Sequence, residues 1–343
     1  MTIPQKMHGL VLKNEGFSGT AEGPQIESLD PLLDYMEIDV PEPGEGQVLV
    51  RVIMASINPS DLHFIKGEYG IPRNKGVPAG FEAVGEVVKA GAGGEGLVGK
   101  RVACFGSASG VWADYAISEV SMCVPVMDGV SDEDAAALLV NPLTAIAMYE
   151  MAKENGNGCF IMTAAASQLC KLIAGLAKEE QMKVISIVRR DEHVDSLKDY
   201  GSTAVLNCTS PDFSKDLLGL VKEHKPRVML DAVGDQISSE IFNAMPSGAR
   251  WVIYGKLSQE NPALTQMGQF IFMSKQIEGF WLTKWMKEKS PQEQMAAGMK
   301  VQQMFASGAW QTDVAAKISL ADAHAQLPDA TTGINTGKVF LVP

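Results

Sequence analysis

The stretch CFIMTAAASQLCKLIAGLAKEEQMKVISIVRR, residues 159–190, decides the fold of this 343-residue chain. Its apolar run 159–163 predicts a strand, and residues 168–180 place apolar side chains at helical spacing. The run 183–188 predicts a second strand, which is followed by two arginines. A strand, a helix and a strand in this order form a βαβ unit, which indicates a parallel sheet covered by helices on both faces.

The flanking sequence first extends this pattern and then changes it. Downstream, strands alternating with helical stretches are expected at 204–207, 228–231 and 250–254. Before Ser131, short β-branched runs separated by Gly- and Pro-rich turns lie at 47–57, 82–89 and 100–105. Such runs are typical of a barrel-like antiparallel domain. A helix at 291–307 and a strand at 338–342 close the chain. We therefore expect a doubly wound domain inserted into a β-rich one.

The composition excludes several classes of protein. The 29 Lys and Arg residues against 41 Asp and Glu residues give a net charge of −12, which argues against a nucleic-acid partner. Five cysteines without C-x-x-C spacing indicate a reducing compartment. The N-terminus has no secretory signal pattern, and the longest apolar region, 135–149, is too short to span a bilayer. We therefore expect a cytoplasmic protein without a membrane partner.

The turn TAAASQLC, residues 163–170, stands where a doubly wound domain binds the pyrophosphate of a dinucleotide at a helix N-terminus. The turn lacks the glycine fingerprint of such sites. Its small side chains still allow the backbone to approach a phosphate, and Ser167 is suited to cap the helix or to donate to the phosphate. An ordinary Ser-capped helix start explains the turn equally well, so the turn alone leaves both interpretations open.

The end of the next strand favours the nucleotide interpretation. An NAD site has an acidic residue here, which binds the ribose hydroxyls, whereas this chain has Arg189 and Arg190. Guanidinium groups match the geometry of a 2′-phosphate. A solvated strand end is the alternative interpretation. Because the two arginines follow the Ala/Ser turn at the spacing of a nucleotide site, they predict NADPH as the cofactor.

Several segments together resemble the medium-chain dehydrogenase/reductase superfamily: ASINPSDLHFIKGEYG (55–70), PAGFEAVGEVVKAG (78–91), GKRVACF (99–105), NPLTA (141–145) and the Ala/Ser turn with IVRR. The segments that resemble its 2-enoyl thioester reductase branch, which is related to quinone oxidoreductases, are NPSDLHFIKGEYG, YGKLS (254–258) and GFWLTKWMKEKSP (279–291). The resemblance implies a GroES-like catalytic domain at 1–134 and 286–343 and a Rossmann NADPH-binding domain at 135–285. It also implies a homodimer.

Comparison with zinc-dependent members of this superfamily predicts a site without zinc. Those relatives have a zinc-binding Cys, then a His-Glu pair, then a lobe with four Cys. In this chain the first position falls at 57–59 without a Cys, and Phe81 replaces the His beside Glu82. Cys104 is the only cysteine between residues 90 and 105. The ligands that a tetrahedral zinc site requires are therefore missing.

A zinc-free member of this superfamily is suited to reduce the C=C bond of an α,β-unsaturated carbonyl, here a 2-enoyl thioester. NADPH gives hydride to the β-carbon, charge builds on the carbonyl oxygen, and a proton reaches the α-carbon. Tyr69 occupies the position of the catalytic tyrosine of the enoyl thioester reductases, and Asn58 is expected to orient substrate or nicotinamide. An aromatic lid residue and an Asn-Pro turn are the respective alternatives.

The resemblance also implies the residues that contact NADPH. Asn141 is expected at the nicotinamide end, and Arg189 with Arg190 at the adenosine phosphate. The residues expected along the pyrophosphate are Ala166, Ser167, Gln168 and Leu169. The remaining predicted contacts are Tyr254, Gly255, Lys256, Leu257, Phe280, Trp281, Leu282, Thr283 and Lys338.

Two other functions stay open at this point. An NADPH:quinone or general enone reductase needs the same hydride geometry, but it needs neither an acyl channel nor a placed acid. A non-catalytic NADPH-binding sensor would explain the missing glycines of the turn. The presence of Tyr69 within its motif argues against the sensor.

Overall fold

The computed structural model describes residues 2–154, 157–332 and 337–343. The strands in chain order are β1 (Lys6–Leu12), β2 (Leu33–Asp39), β3 (Gln47–Ile57), β4 (Glu82–Ala90), β5 (Arg101–Phe105), β6 (Tyr115–Glu119), β7 (Cys123–Pro125), β8 (Cys159–Met162), β9 (Lys183–Val188), β10 (Ala204–Asn207), β11 (Val228–Asp231), β12 (Arg250–Ile253), β13 (Gln276–Gly279), β14 (Val314–Ser319) and β15 (Lys338–Val342). The helices are α1 (Pro59–Lys66), α2 (Asp132–Ala136), α3 (Val140–Glu154), α4 (Gln168–Glu179), α5 (Val194–Tyr200), α6 (Phe213–His224), α7 (Gln236–Ala244), α8 (Gly268–Phe272), α9 (Leu282–Glu288), α10 (Pro291–Ala306) and α11 (Ala323–Thr332).

The chain forms two compact units. Unit 1 consists of residues 1–142 and 298–343, and unit 2 of residues 143–297. Both boundaries fall inside helices, α3 and α10, whereas the sequence places them after residues 134 and 285. The domain bounds expected from the sequence stay a prediction.

Unit 1 is built on a seven-stranded sheet with the order β14-β15-β3-β4-β5-β7, and β6 pairs with the long strand β3. All its pairs are antiparallel except β14 with β15. The pairing of Val339 with Ile57 sets the register of β15 against β3. This register brings the start of β15 to the residues that follow β3, where the polar site of unit 1 lies.

Unit 2 is a six-stranded parallel sheet with the order β10-β9-β8-β11-β12-β13. The chain starts at β8, moves outward through β9 to β10, and then returns to β11 on the other side of β8. This reversal is the topological switch point at which doubly wound folds bind ligands. Phe160, Phe242 and Trp251 are fully buried in the unit. The predicted α/β class, which combines a β-rich domain with a doubly wound, parallel-sheet domain, is confirmed.

Within the three described ranges, no helix combines the length and the apolar character that a bilayer crossing requires.

Candidate active site

The turn between β8 and α4 contains no glycine, but one of its residues has a left-handed backbone conformation. Ala164 adopts a φ of 47°, in the left-handed region that L-residues avoid at a cost of about 1–2 kcal/mol. The backbone N–H of Ala165 donates to the carbonyl of Ile187 at 3.1 Å, which ties the turn to the neighbouring strand β9. Within this turn, Ala164 thus adopts a conformation that glycine more commonly adopts.

Ser167 ends this turn and caps α4, as the sequence predicts. Its Oγ accepts a hydrogen bond from the backbone N–H of Cys170 at 3.4 Å. The first turn of a helix leaves N–H groups without helical partners and carries the positive end of the helix dipole. The predicted pyrophosphate contacts Ala166, Gln168 and Leu169 lie at this helix start. The donors and the small side chains of the turn fit a phosphate group.

Asp231, the last residue of β11, organises the switch-point edge of the sheet. Its carboxylate is fully buried and accepts hydrogen bonds from the side chains of Thr163, Ser238 and Trp251. The backbone N–H groups of the two residues after Ala232 also donate to it, at 3.0 and 3.1 Å. Thr163 in turn accepts from the N–H of Ala232 at 3.0 Å. One carboxylate thus links the end of β11 to the residue that follows β8, to β12 and to α7.

The predicted contacts that follow β12 lie along this edge. The N–H groups of Tyr254 and Leu257 donate to the carbonyls of Asp231 and Ala232, at 2.9 and 3.0 Å. Gly255 fits here because a Cβ atom would stand 2.9 Å from the carbonyl oxygen of Ala232. Side-chain contacts add to these backbone bonds: the Tyr254 hydroxyl lies 3.4 Å from Cys170 Sγ, and Lys256 Nζ donates to backbone carbonyls, including that of Ser258.

The segment after β13 contains the other predicted contacts of unit 2. The N–H of Phe280 donates to the carbonyl of Ile253 at 2.8 Å, which continues the sheet edge. Trp281 is 36% exposed and precedes helix α9. Leu282 and Thr283, the first two residues of that helix, are half-buried. The structure thus brings residues 254–257 and 280 to the carboxyl ends of adjacent strands.

Arg189 and Arg190 lie directly after β9, and both are exposed. Arg190 forms an ion pair of 3.1 Å with Glu192, in which both side chains are more than half exposed. Arg189 is close enough to Cys208 to lower the pKa of its thiol, although burial is the larger influence and raises that pKa. Two exposed guanidinium groups therefore lie at the end of the second strand of unit 2, and their contact with a 2′-phosphate stays a prediction.

Asn58 is the centre of a buried polar cluster in unit 1. The residue is 1% exposed and precedes α1. Its Nδ2 donates to Glu82 Oε1 at 2.9 Å and to Ser56 Oγ at 3.2 Å. Its Oδ1 accepts from Lys338 Nζ. The amide thus makes bonds within the protein through both of its polar atoms, and its contact with substrate or nicotinamide stays a prediction.

Glu82 connects this cluster to helix α3. Its Oε1 accepts from Ser56 Oγ at 2.6 Å, and its Oε2 accepts from the N–H groups of Leu139 and Val140, at 3.0 and 2.8 Å. A carboxylate at a helix N-terminus is stabilised by the helix dipole. Asn141, the predicted nicotinamide contact, is half-buried and follows Val140. Glu82 therefore fixes the backbone from which Asn141 extends.

Lys338, which the sequence predicts as a cofactor contact, lies in this cluster. The residue is 5% exposed, and its Nζ donates to the carbonyl of Ile57 at 3.3 Å as well as to Asn58. Burial lowers its pKa, while Glu82 and Asp61 oppose that change. The ammonium group is thus committed to partners within unit 1, and a role in cofactor binding stays a prediction.

Asp61 is fully buried in the first turn of α1. It accepts from the N–H groups of Asn58 and Phe81, both at 2.8 Å. Burial raises its pKa to about 7, and the charge of Glu82 adds to the increase, whereas the two hydrogen bonds and Lys338 oppose it. Asp61 therefore titrates near neutral pH.

Tyr69 is half-buried and packs against Phe81. The centroids of these two rings are 5.3 Å apart. The ring centroid of Phe64 lies 5.1 Å from that of Phe81, so three aromatic rings are in contact through Phe81. The rings of Phe64, Tyr69 and Phe81 thus form an aromatic cluster. Among the residues that the structure describes, no group of three or more His, Cys, Asp or Glu could hold a metal ion. The absence of zinc stays a prediction.

Sequence reasoning missed two organising carboxylates. Asp231 ends the apolar run 228–231, and a lone acidic residue at the carboxyl end of a buried parallel strand was a usable signal. Glu82 was noted only as the neighbour of Phe81. Its carboxylate binds Leu139 and Val140, which follow it in the sequence by 57 and 58 positions. No local pattern indicates contacts over such a separation.

Comparison with known proteins agrees with this architecture. The sequence matches the alcohol dehydrogenase GroES-like domain family over residues 44–128 and the zinc-binding dehydrogenase family over residues 169–298. The mitochondrial enoyl-acyl-carrier-protein reductase of Dictyostelium discoideum is 31% identical over 265 residues, which cover 73% of this chain and 73% of that relative.

Solved structures show the same likeness over the whole chain. The crystal structure of a putative NADPH:quinone reductase from Mesorhizobium loti is 49% identical, has a TM-score of 0.95 and covers 100% of both chains. The mitochondrial 2-enoyl thioester reductase heterodimer of Candida tropicalis is 20% identical, has a TM-score of 0.80 and covers 98% of this chain and 100% of its own, which shows a shared fold. This chain is an oxidoreductase that belongs to the medium-chain dehydrogenase/reductase superfamily.

Proposed function

We propose that this protein reduces the C=C bond of a 2-enoyl thioester with NADPH. The observation that carries the proposal is Tyr69: its motif KGEYG matches the enoyl thioester reductases, and its half-buried ring packs on Phe81. A phenol hydroxyl can donate a hydrogen bond to the oxygen on which negative charge develops. The relative from Dictyostelium discoideum, an enoyl-acyl-carrier-protein reductase, supports this substrate class.

The residues of unit 2 fit NADPH. The turn at Ala164, the capped start of α4 and the exposed guanidinium groups of Arg189 and Arg190 provide donors and positive charge for phosphate groups. Tyr254 to Leu257 line the adjacent strand end. When bound, NADPH supplies the hydride that this reaction requires.

The protein has to complete the reaction with a proton. Hydride addition at the β-carbon moves the electron pair of the C=C bond toward the thioester carbonyl, and the resulting enolate takes a proton at the α-carbon. The Tyr69 hydroxyl donates to the enolate oxygen or delivers that proton, directly or through water. Asn58 and Glu82 support the site from within unit 1, since they fix β3, α1 and the start of α3.

A second candidate is reduction of a quinone. The 49% identity to the Mesorhizobium loti protein over the full chain favours it. A quinone accepts hydride without protonation of a carbon atom, so it requires no placed acid. The reduction of an enoyl thioester therefore depends on the Tyr69 hydroxyl, whereas the reduction of a quinone does not.

The test compares NADPH oxidation with crotonyl-CoA and with a simple benzoquinone. We expect butyryl-CoA as the product of the first reaction, identified by mass spectrometry. In heavy water the product should gain one deuterium at the α-carbon, because that hydrogen arrives as a proton. Fast turnover of the quinone without any butyryl-CoA would contradict the proposal and support the second candidate.

We also propose a homodimer that forms through the edge of the unit 2 sheet. Strand β13 is the last of the six strands, and the preceding helix α8 exposes Phe272 by 84% and Ile271 by 74%. An exposed edge strand beside large apolar side chains is a surface that another chain can cover. The relative from Candida tropicalis is a heterodimer. Light scattering should find a dimer, and Phe272→Glu should yield monomers, whereas Leu218→Glu on α6 should leave the mass unchanged.

A further inference from the structure

Tyr69 lies in a loop that is fastened at both ends to one N-terminal segment. We call residues 67–73 the Tyr69 loop and residues 15–25 the strap. The N–H of Ser18 donates to the carbonyl of Gly67 at 3.0 Å. Gly16 and Arg73 exchange two backbone hydrogen bonds, of 2.9 and 3.2 Å. The strap therefore closes the loop at its first and its last residue.

Glu68, the residue before Tyr69, joins the two segments through its side chain. Its carboxylate accepts hydrogen bonds from Thr20 Oγ1 at 2.8 Å and from the N–H groups of Glu22 and Gly23, at 2.9 and 3.2 Å. The side chain is only 3% exposed. A buried carboxylate that accepts three hydrogen bonds from one segment holds that segment in a defined position, because each donor would otherwise lose its partner.

Two basic side chains complete the surroundings of Glu68. His63 Nδ1 lies 3.2 Å and Lys66 Nζ 3.7 Å from its carboxylate. Lys66 also donates to the carbonyls of Gly23 and Gln25, at 2.7 and 3.3 Å, and thus holds the same part of the strap. Burial opposes the ionisation of Glu68, but the hydrogen bonds from Glu22 and Thr20 together with Lys66 and His63 outweigh it and lower its pKa.

The far end of the loop is held in the same way. The guanidinium group of Arg73 is buried and donates to the carbonyls of Gly16 and Ile65, at 2.9 and 3.2 Å. Gly67, at a φ of 79°, has no room for a side chain, since a Cβ atom would stand 2.6 Å from Arg73 and 2.7 Å from the nitrogen of Ser18. Buried charged groups and close backbone contacts therefore restrict the path of the chain on both sides of Tyr69.

We propose that Glu68 is the positioning residue for Tyr69: by binding the strap, it fixes the point from which the chain leads into the tyrosine. This inference rests on the proposed role of Tyr69 in enoyl reduction. A reacting group that is misplaced by about 1 Å costs on the order of 10²-fold in rate. The side chain of Glu68 needs no contact with substrate, because it acts through the backbone of the next residue.

The first test is Glu68→Gln, measured with crotonyl-CoA and NADPH. The change preserves size but removes the charge beside Lys66 and turns one acceptor into a donor that faces backbone N–H groups. We expect kcat to fall by about 10-fold to 10²-fold, with the KM for NADPH unchanged. Glu27→Gln is the matched control, because it makes the same change at an exposed carboxylate just beyond the strap. Thr20→Val, at an exposed residue, should cause a smaller fall in the same direction.

The second test places Glu68→Gln in a Tyr69→Phe background. If Glu68 acts through the tyrosine hydroxyl, the added change should lower kcat by less than about two-fold there. If the two losses multiply, Glu68 does not act through Tyr69 and the inference is wrong. If Tyr69→Phe alone retains the wild-type rate, the proposed function fails instead.

The third test measures the position of Tyr69 without catalysis. In protein made with fluorotyrosine, the fluorine resonance of Tyr69 is assigned among the six tyrosines by its loss in Tyr69→Phe. Glu68→Gln should shift or broaden this resonance, and Glu27→Gln should not. An unchanged resonance in Glu68→Gln would overturn the inference, whatever the enzyme reduces.

Discussion

The ammonium group of Lys338 donates a hydrogen bond to the side-chain oxygen of Asn58, although 280 positions separate the two residues in the chain. The antiparallel pairing of Val339 with Ile57 brings them together. The side chain of Asn58 also donates a hydrogen bond to Glu82, and Glu82 accepts another from the backbone at the start of α3. The last strand of the chain therefore stabilises the residues around the candidate site from inside unit 1.

Loss of the Lys338 ammonium should destabilise the fold. In Lys338→Met the side-chain oxygen of Asn58 and the carbonyl of Ile57 stay buried without this donor. We expect the free energy of unfolding to fall by about 1.5–3 kcal/mol, the range for hydrogen bonds to charged groups. Lys317→Met, which removes the partly exposed ion pair with Glu133, should cost less than about 1 kcal/mol. Chemical denaturation measures both, and equal effects would contradict the role of Lys338.

The raised pKa of Asp61 should make stability depend on pH. Its pKa rises from 3.8 to about 7 on folding, so the folded protein holds this proton more tightly than the unfolded chain. The contribution of Asp61 to the free energy of unfolding therefore decreases as the pH rises through this window and is constant above it. Folding lowers the pKa of Lys338, so its contribution to the free energy of unfolding increases as the pH rises. This pH window ends near 10.5, the ordinary pKa of a lysine.

Comparison with Asp61→Asn isolates this contribution, because Lys338 is present in both proteins. Unfolding measured at about pH 5 and about pH 8 should show that the wild type loses stability relative to the variant as the pH rises. A stability difference between the two proteins that does not change with pH would show that Asp61 has the same pKa in the folded and unfolded states.

Ala164→Gly should relieve strain in the turn before α4. The left-handed conformation costs an alanine about 1–2 kcal/mol, and glycine adopts it freely at an entropic cost of about 0.5–1 kcal/mol. The variant should therefore be as stable as the wild type or more stable, by up to about 1.5 kcal/mol. Ala165→Gly is the matched control, since Ala165 is buried and has no positive φ, and it should destabilise the protein. Similar losses in both variants would be inconsistent with a strained Ala164.

The two exposed arginines after β9 should select NADPH over NADH. The double change Arg189→Ala with Arg190→Ala removes the guanidinium groups proposed for the 2′-phosphate. Loss of such contacts costs about 1.5–3 kcal/mol, so the KM for NADPH should rise by at least roughly 10-fold. The KM for NADH should stay nearly unchanged. Steady-state kinetics with both cofactors provides the comparison, and an equal rise for both would refute the assignment.

Local patterns predicted most of the fold. The bounds of β3, β9, β10, β11 and β15 agree with the apolar runs at 47–57, 183–188, 204–207, 228–231 and 338–342. Strand β13 was missed because QIEG is largely polar and ends in glycine, and it is a strand through its pairing with β12. Helix α11 was missed because Pro328 lies in its interior, where proline usually ends a helix.

The candidate site was less accessible to sequence reasoning. Short sequence motifs identified Tyr69, Arg189 and Arg190 as candidate site residues, because their neighbours in the sequence complete those motifs. The bonds of Lys338 to Asn58 and of Glu68 to the strap join distant parts of the chain, so they depend on strand register and loop closure. Sequence periodicity does not specify these contacts. It indicates on which side of a helix or strand a residue lies, but it does not identify the distant residue that it contacts.

Tyr69→Phe should separate the two candidate reactions. The change removes one hydroxyl group and keeps the ring that packs on Phe81. General-acid assistance is typically worth about 10²–10⁴-fold, and kcat for crotonyl-CoA should fall within that range. The KM should change less, because the hydroxyl acts mainly in the transition state. Quinone reduction protonates no carbon atom and should be much less affected. If Tyr69→Phe reduced crotonyl-CoA at the wild-type rate, the tyrosine would be a packing residue, and quinone reduction would become the better assignment for this chain.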